Sequence, residues 1–226
     1  MKFSCQLNEE LHNKKLPWRK QVSRVKIVVI INMNKKLILA SGSPRRKELL
    51  EKAGFLFEVV VSEYEEDMTL QLSPTELVKH LSYGKAETVA NTHPDAIVLS
   101  ADTIVVLDGT VLGKPHTGER AKEMLRMLSG KQHSVWTGFT IILKSEEKSI
   151  SRAVESKVIF KDLSDKEIEE YIATGEPLEK AGAYAIQMLG QKFVEKTDGD
   201  IPNIIGLPID EVQQELRKNF GFSPNT

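Results

Sequence analysis

The stretch L-I-L-A-S-G-S-P-R-R-K-E-L-L, residues 37–50, reads as a strand running directly into a helix. Leu37–Ala40 is the strand. Ser43 is placed to cap the helix, Pro44 suits its first turn, Leu49 and Leu50 share one face, and Gly54 is the stop. Phe57–Val61 is expected to be the next strand. This strand–turn–helix–strand order sets an α/β class, and the rest of the chain extends it.

Ser73-Pro74-Thr75-Glu76 is a capping box opening a helix to about Asn91, with Leu77, Leu81, Ala86 and Val89 inward. Ile97–Val106 is an apolar strand interrupted by Ser100-Ala101-Asp102-Thr103. Buried polar residues in mid-strand need partners. Asp108-Gly109 is a hairpin signal, Thr117–Leu128 a helix, and Ser134–Leu143 and Arg152–Phe160 two long strands joined at Lys144–Lys148. Ser164-x-x-Glu167 opens a helix ended by Gly175, Lys192–Lys196 is expected as a strand, and Pro208 opens a last amphipathic helix. The strand spacing is too irregular for a strict βαβ repeat, so the sheet is expected to be mixed.

With 226 residues and 40% hydrophobic residues, the chain can bury a real core. Seven of its 31 basic and two of its 32 acidic residues lie in positions 1–32, leaving 24 basic and 30 acidic from Met33 onward. Such a balance gives no global field for nucleic acid, and only 6% of residues are aromatic. Any polyanion must be met by local cations. The single cysteine, Cys5, and the absence of a long apolar run fit a cytoplasmic protein without membrane association. Residues 1–32 read as an N-terminal extension, either disordered or untranslated, with Met33 as the natural start of one domain over 33–226.

Ser41-Gly42-Ser43-Pro44-Arg45-Arg46 combines free amides at a helix start with two guanidinium groups, a phosphate-binding arrangement. A capped surface helix with solvated arginines is the plainer alternative. Asp102, with Thr103 beside it, is a carboxylate on a rigid strand, suited to a general base or a metal ligand. Lys114 follows the hairpin and is expected back beside Asp102, although most such turn lysines are solvated. Glu65-Glu66-Asp67 is an acidic loop that could hold a divalent ion. Gly84, beside Lys85 in mid-helix, costs about 1 kcal/mol against alanine, which suggests close approach of a ligand or another backbone. In Lys180–Gln187 the small residues suggest a tight pocket wall and Gln187 an amide able to read a base edge, against the plainer reading of a packed strand. Gly199-Asp200 through Pro208 looks like a further anion-binding junction.

Taken in order, L-I-L-A-S-G-S-P-R-R-K-E-L-L (37–50), S-A-D-T-I-V-V (100–106), G-K-P (113–115), K-A-G-A-Y-A-I-Q (180–187) and G-L-P (206–208) closely resemble the Maf family of nucleoside triphosphate pyrophosphatases. The resemblance implies an elongated mixed sheet with flanking helices and a deep cleft between two lobes, related to the inosine triphosphatase fold. It also implies a homodimer and a divalent cation, Mg²⁺ or Mn²⁺. It implies hydrolysis of dTTP and UTP, and of some modified pyrimidine nucleotides, to monophosphate and pyrophosphate. By matching positions, Asp102 accepts the proton of water, Lys85 and Lys114 neutralise charge, and Glu66 positions metal or water. Asp102 and Glu66 are the implied metal ligands. Ser43, Arg45 and Arg46 meet the triphosphate, and Arg45, Thr103 and Gln187 bear on specificity. Gly199–Asn203 leans toward the sister branch that prefers 7-methyl-GTP. That substrate, and a nucleotide-binding regulator of septum formation, are the alternatives.

Overall fold

A computed structural model describes residues 35–67 and 70–224. The expected extension 1–32, Met33 and Cys5 lie outside the described residues.

The strands are β1 (Leu37–Leu39), β2 (Glu58–Val59), β3 (Ile97–Leu107), β4 (Thr110–Leu112), β5 (Gln132–Leu143), β6 (Lys148–Phe160) and β7 (Val194–Asp198). Among the described residues they form one seven-stranded sheet in the order β2-β1-β3-β5-β6-β7, with β4 also on β3. Pairs β1–β2 and β1–β3 are parallel and the others antiparallel, so the expected mixed sheet is observed. The helices are α1 (Pro44–Lys52), α2 (Pro74–Thr92), α3 (Gly118–Leu128), α4 (Asp165–Ala173), α5 (Ile201–Ile205) and α6 (Ile209–Phe220). Ser73 and Ser164 both form complete capping boxes. The Asp108-Gly109 hairpin has both residues at positive φ, +49° and +79°, as a tight two-residue turn requires.

Three expectations are corrected. The strand expected at Phe57–Val61 is two residues long, because Phe55 and Phe57 turn into the core while Val59 and Val61 face outward. The strand expected at Lys192–Lys196 begins at Val194, since Leu189–Phe193 form a 3₁₀ turn that buries Phe193. Lys180–Gln187 is no strand: Ala181–Ala183 is a 3₁₀ turn with Gly182 and Ala183 at positive φ.

The decisive feature is how β3 is paired. One edge lies along β5 from Val98 to Val106. The other pairs with β1 at Ile97–Leu99 and with β4 at Val105–Leu107, so Ser100–Ile104 face a gap between two strands. The same level is polar on both faces of the sheet. On the α2 face, Ile38 and Val98 pack with Ala86 and Val89, while Ile104 and Val106 pack with Leu77 and Leu81. Between these clusters lie Ser100, Asp102 and Thr140. On the opposite face, Leu99, Ala101 and Phe139 join α6, and Val105 and Val135 join α3 and α4. Between those lie Thr103 and Thr137. A polar seam thus divides the core into two ends, as an interruption in a buried strand demands.

Every buried hydroxyl of the seam has a partner. Ser100 donates to the Ser82 carbonyl, and Ser82 and Thr140 hydroxyls meet at 2.9 Å. Thr103 and Thr137 hydroxyls lie 2.9 Å apart, and Thr137 donates to the Asn203 carbonyl at 2.9 Å. Gly138 stands opposite Asp102 in the register. A Cβ there would lie 2.3 Å from the Val78 carbonyl oxygen, so the glycine is what lets α2 close onto the sheet at this level.

Candidate active site

Four elements converge on the gap in the sheet. Asp102 projects from β3 toward α2, and Lys85 reaches it from the fourth turn of α2. The Lys85 ammonium also pairs with Glu66 Oε1 at 2.7 Å. One partly buried ammonium therefore bridges two carboxylates, fixing the orientation of both. Burial pushes Glu66 up. The hydrogen bond from Lys85 and the charges of Lys85, Lys114 and Arg46 outweigh that and hold it below the ordinary carboxylate value.

Glu66 comes from an irregular segment, and its placement depends on Tyr64. A Cβ at Gly84 would fall 2.3 Å from the Tyr64 ring. The ring therefore lies directly on the helix at the residue preceding Lys85. The Tyr64 hydroxyl meets His80 Nε2 at 3.2 Å. The glycine suspected of making room for a ligand or backbone makes room for this side chain.

From the opposite face comes α1. Arg46 donates to the Gly206 carbonyl at 2.8 Å, to Ser41 Oγ at 3.1 Å and to Thr103 Oγ1 at 3.1 Å. Burial pushes its guanidinium down, opposed chiefly by Asp102, which places the two charges within range of each other. Ser43 is the N-cap of α1, yet its side chain makes no capping hydrogen bond, unlike Ser73 and Ser164. The first amides of α1 are thus left for another acceptor. At α5, by contrast, Asp200 accepts from the Asn203 amide at 3.0 Å. The anion-binding junction expected there is occupied by the chain's own carboxylate.

Lys114 pairs with Glu179 at 3.6 Å rather than with Asp102, while its charge is still felt at Glu66. The turn that follows brings Lys180 near it. Lys180 is pushed down by burial and by the charges of Arg45 and Lys114, against Glu176 and Glu179. Lys180 therefore lies within electrostatic range of both Arg45 and Lys114. Lys180 sat within the motif at 180–187, but nothing local distinguished it from a solvated lysine. Thr137 and Tyr64 were equally silent, because their roles depend on contacts far apart in sequence.

Arg45 and Gln187 meet elsewhere. Both line a cavity of about 890 Å³ whose walls include Glu48, Ile186, Thr197 and Ile201. Asp102, Lys85, Glu66 and Lys114 are not among its lining residues, so this cavity does not contain the carboxylate cluster. Arg45 is the link, since it lines the cavity while its charge reaches Lys180.

Among the described residues, no group of three or more His, Cys, Asp or Glu is placed to hold a metal ion. Glu66 and Asp102 nevertheless converge on a single cation, the Lys85 ammonium. Two carboxylates are a sufficient protein share for Mg²⁺, whose other ligands are commonly water and substrate phosphate. The donor set fits such an ion. No helix of the described residues is long and apolar enough to cross a membrane.

Residues 36–219 match the family described as Maf-like protein. A dTTP/UTP pyrophosphatase of Bacillus cytotoxicus is 52% identical over 184 residues, spanning 81% of this chain and 95% of that protein. Its counterpart from Bacillus cereus is 50% identical over 184 residues, spanning 81% and 90%. Among solved structures, the Ham1 protein of Staphylococcus aureus aligns over 84% of this chain and 92% of its own, at 10% identity and a TM-score of 0.44.

Proposed function

The chain belongs to the Maf-like protein family, and from that membership and the geometry of its site we propose that it is a nucleoside triphosphate pyrophosphatase acting on dTTP and UTP. The observation that carries the reading is the carboxylate pair Asp102–Glu66 bridged by Lys85 in the gap of the sheet, within electrostatic range of Arg46. Asp102 would serve there as proton acceptor beside the fixed cations Lys85 and Arg46, as hydrolysis of a phosphoanhydride requires.

The triphosphate carries about four negative charges, which the amides of α1, Arg45, Lys180 and Lys114 would meet. Ser43 and Arg46 border the same anion, with Arg46 held by its three protein acceptors. Asp102 takes the proton of the attacking water. Oxygen bonds to the α-phosphorus, the bridging P–O bond breaks, and pyrophosphate leaves while the monophosphate stays with the cavity residues. Lys85 keeps Asp102 and Glu66 aligned throughout. Glu66 and Asp102 would hold a magnesium or manganese ion, which supplies Lewis-acid polarisation of phosphate when bound. Gln187 would read the base, with Thr103 and Arg45 setting where the phosphates lie relative to it. The working form in this reading is a cytoplasmic homodimer acting on free nucleotides and not on nucleic acid.

Pyrophosphate release by the purified chain, with magnesium or manganese, tests the proposal. The expected order is dTTP and UTP above CTP, 7-methyl-GTP and ITP. Fastest release from 7-methyl-GTP would overturn the substrate assignment, and release from none of them would overturn the enzyme reading.

A further inference from the structure

The loop that carries Gln187 is held by a carboxylate outside it. Glu176 opens the short 3₁₀ turn after α4. Its Oε1 accepts the Tyr171 hydroxyl at 2.7 Å and the Gly190 amide at 3.3 Å, and its Oε2 accepts the Leu189 amide at 3.2 Å. The Tyr171 hydroxyl in turn accepts the Ala185 amide at 3.3 Å. Two side chains thus gather three amides that flank Gln187 on both sides.

Packing does not hold the outer part of this loop. Met188 and Leu189, the two residues after Gln187, are 54% and 55% exposed. The fixed point is Tyr171, whose ring is fully buried and edge-on to Phe193 at 5.0 Å. The loop is also drawn in tightly: a Cβ at Gly190 would lie 2.9 Å from both the Ala185 carbonyl oxygen and the Tyr171 hydroxyl oxygen. Arg45, which shares the cavity with Gln187, also feels the Glu176 charge as an opponent of its burial. Glu176 therefore holds the loop of Gln187 while its charge reaches Arg45.

We infer that Glu176 is a positioning residue for nucleobase selection, fixing through the Leu189 and Gly190 amides the loop that presents Gln187, with Tyr171 as its anchor. An amide side chain discriminates a carbonyl from an amino group only when its own donor and acceptor are held in place. A loop released from Glu176 would let Gln187 rotate to suit either. The inference rests on the proposed function for its substrate, but the clamp itself does not.

Two measurements on Glu176→Ala separate these parts. Hydrogen exchange of residues 185–191 is expected to quicken at least about tenfold. The UTP-over-CTP ratio of kcat/KM is expected to fall about tenfold, with kcat for UTP changed less. Glu176→Gln keeps one acceptor oxygen and should fall between. In a Gln187→Ala background, Glu176→Ala should reduce the ratio no further. Unchanged exchange would overturn the clamp. Faster exchange with an unchanged UTP-over-CTP ratio would overturn its role in selection. A wild type that cleaves no nucleotide would sink the proposed function and the selection role together, while exchange would still decide the clamp.

Discussion

His133 should make the fold acid-sensitive in a way that one substitution removes. It is 2% exposed in β5, edge-on to Phe160 and Tyr184, with Nε2 on the Tyr184 hydroxyl at 2.8 Å. Its Nδ1 has no hydrogen-bond partner, although the Lys131 backbone is near enough to oppose the effect of burial slightly. Burial pushes the imidazole from 6.5 down to about 4. Between those two values the unfolded chain binds a proton that the folded chain refuses. Stability is therefore intact above 6.5 and declines as pH falls toward 4. Linkage over that interval gives a loss of roughly 2 kcal/mol at pH 5 and roughly 3 kcal/mol at pH 4. The assay is urea unfolding at pH 7 and pH 5 for the wild type and His133→Phe. The variant loses the Tyr184 hydrogen bond at both pH values, so the difference of differences isolates the titration. Other acidic groups cancel in it. The wild type should lose about 2 kcal/mol more than the variant between the two pH values. Equal losses would refute a buried neutral imidazole.

Asp102→Asn keeps an oxygen for Lys85 but no proton acceptor, so kcat should drop about 10²–10⁴-fold with KM within about threefold; steady-state kinetics showing wild-type turnover would remove Asp102 from the chemistry. Gly84→Ala should gain about 1 kcal/mol of helix propensity but displace Tyr64 and with it Glu66, lowering kcat about tenfold or more. In a Tyr64→Ala background the same substitution should become stabilising, and thermal melts and rates on the double variant check both halves. Gly138→Ala places its Cβ 2.3 Å from a backbone carbonyl oxygen that no rotamer can move. It should cost about 3 kcal/mol or more by denaturant unfolding, and a loss below about 1 kcal/mol would show that α2 can shift freely.

What was legible in the sequence was local. The Ser73 and Ser164 capping boxes, the Pro44 helix start, the Asp108-Gly109 turn and the inward stripe of α2 each announce themselves within a few residues, and each stands where it was expected. The polar interruption at 100–103 was visible too, together with its need for partners. Those partners were not, because Ser82, Thr137 and Thr140 are brought to it only by sheet register and helix docking. The turns at 181–193 resisted reading for a related reason. Their shape comes from Tyr171, Glu176 and the buried Phe193, while their own residues carry weak preferences. Gly84 signals a close approach in mid-helix, but composition cannot distinguish a ligand or a backbone from the Tyr64 ring that arrives from a loop.

The paired arginines show how a short helix serves two ends of the site. Consecutive residues of an α-helix project about 100° apart, so Arg45 and Arg46 leave the first turn of α1 in different directions. Arg46 turns inward. Three of its N–H donors are taken by Gly206, Ser41 and Thr103, which ties α1 to the turn before α6 and to β3 across the seam. Arg45 lines the cavity, and the Glu176 charge counters the effect of its burial. A lysine in place of Arg46 would lose the planar fork that reaches three acceptors at once. A lysine in place of Arg45 would keep the charge and lose paired donation to phosphate. The first change acts on the alignment of the gap in the sheet, the second on contact with the anion. The same dipeptide thus joins the polar seam that divides the core to the cavity that opens beside it.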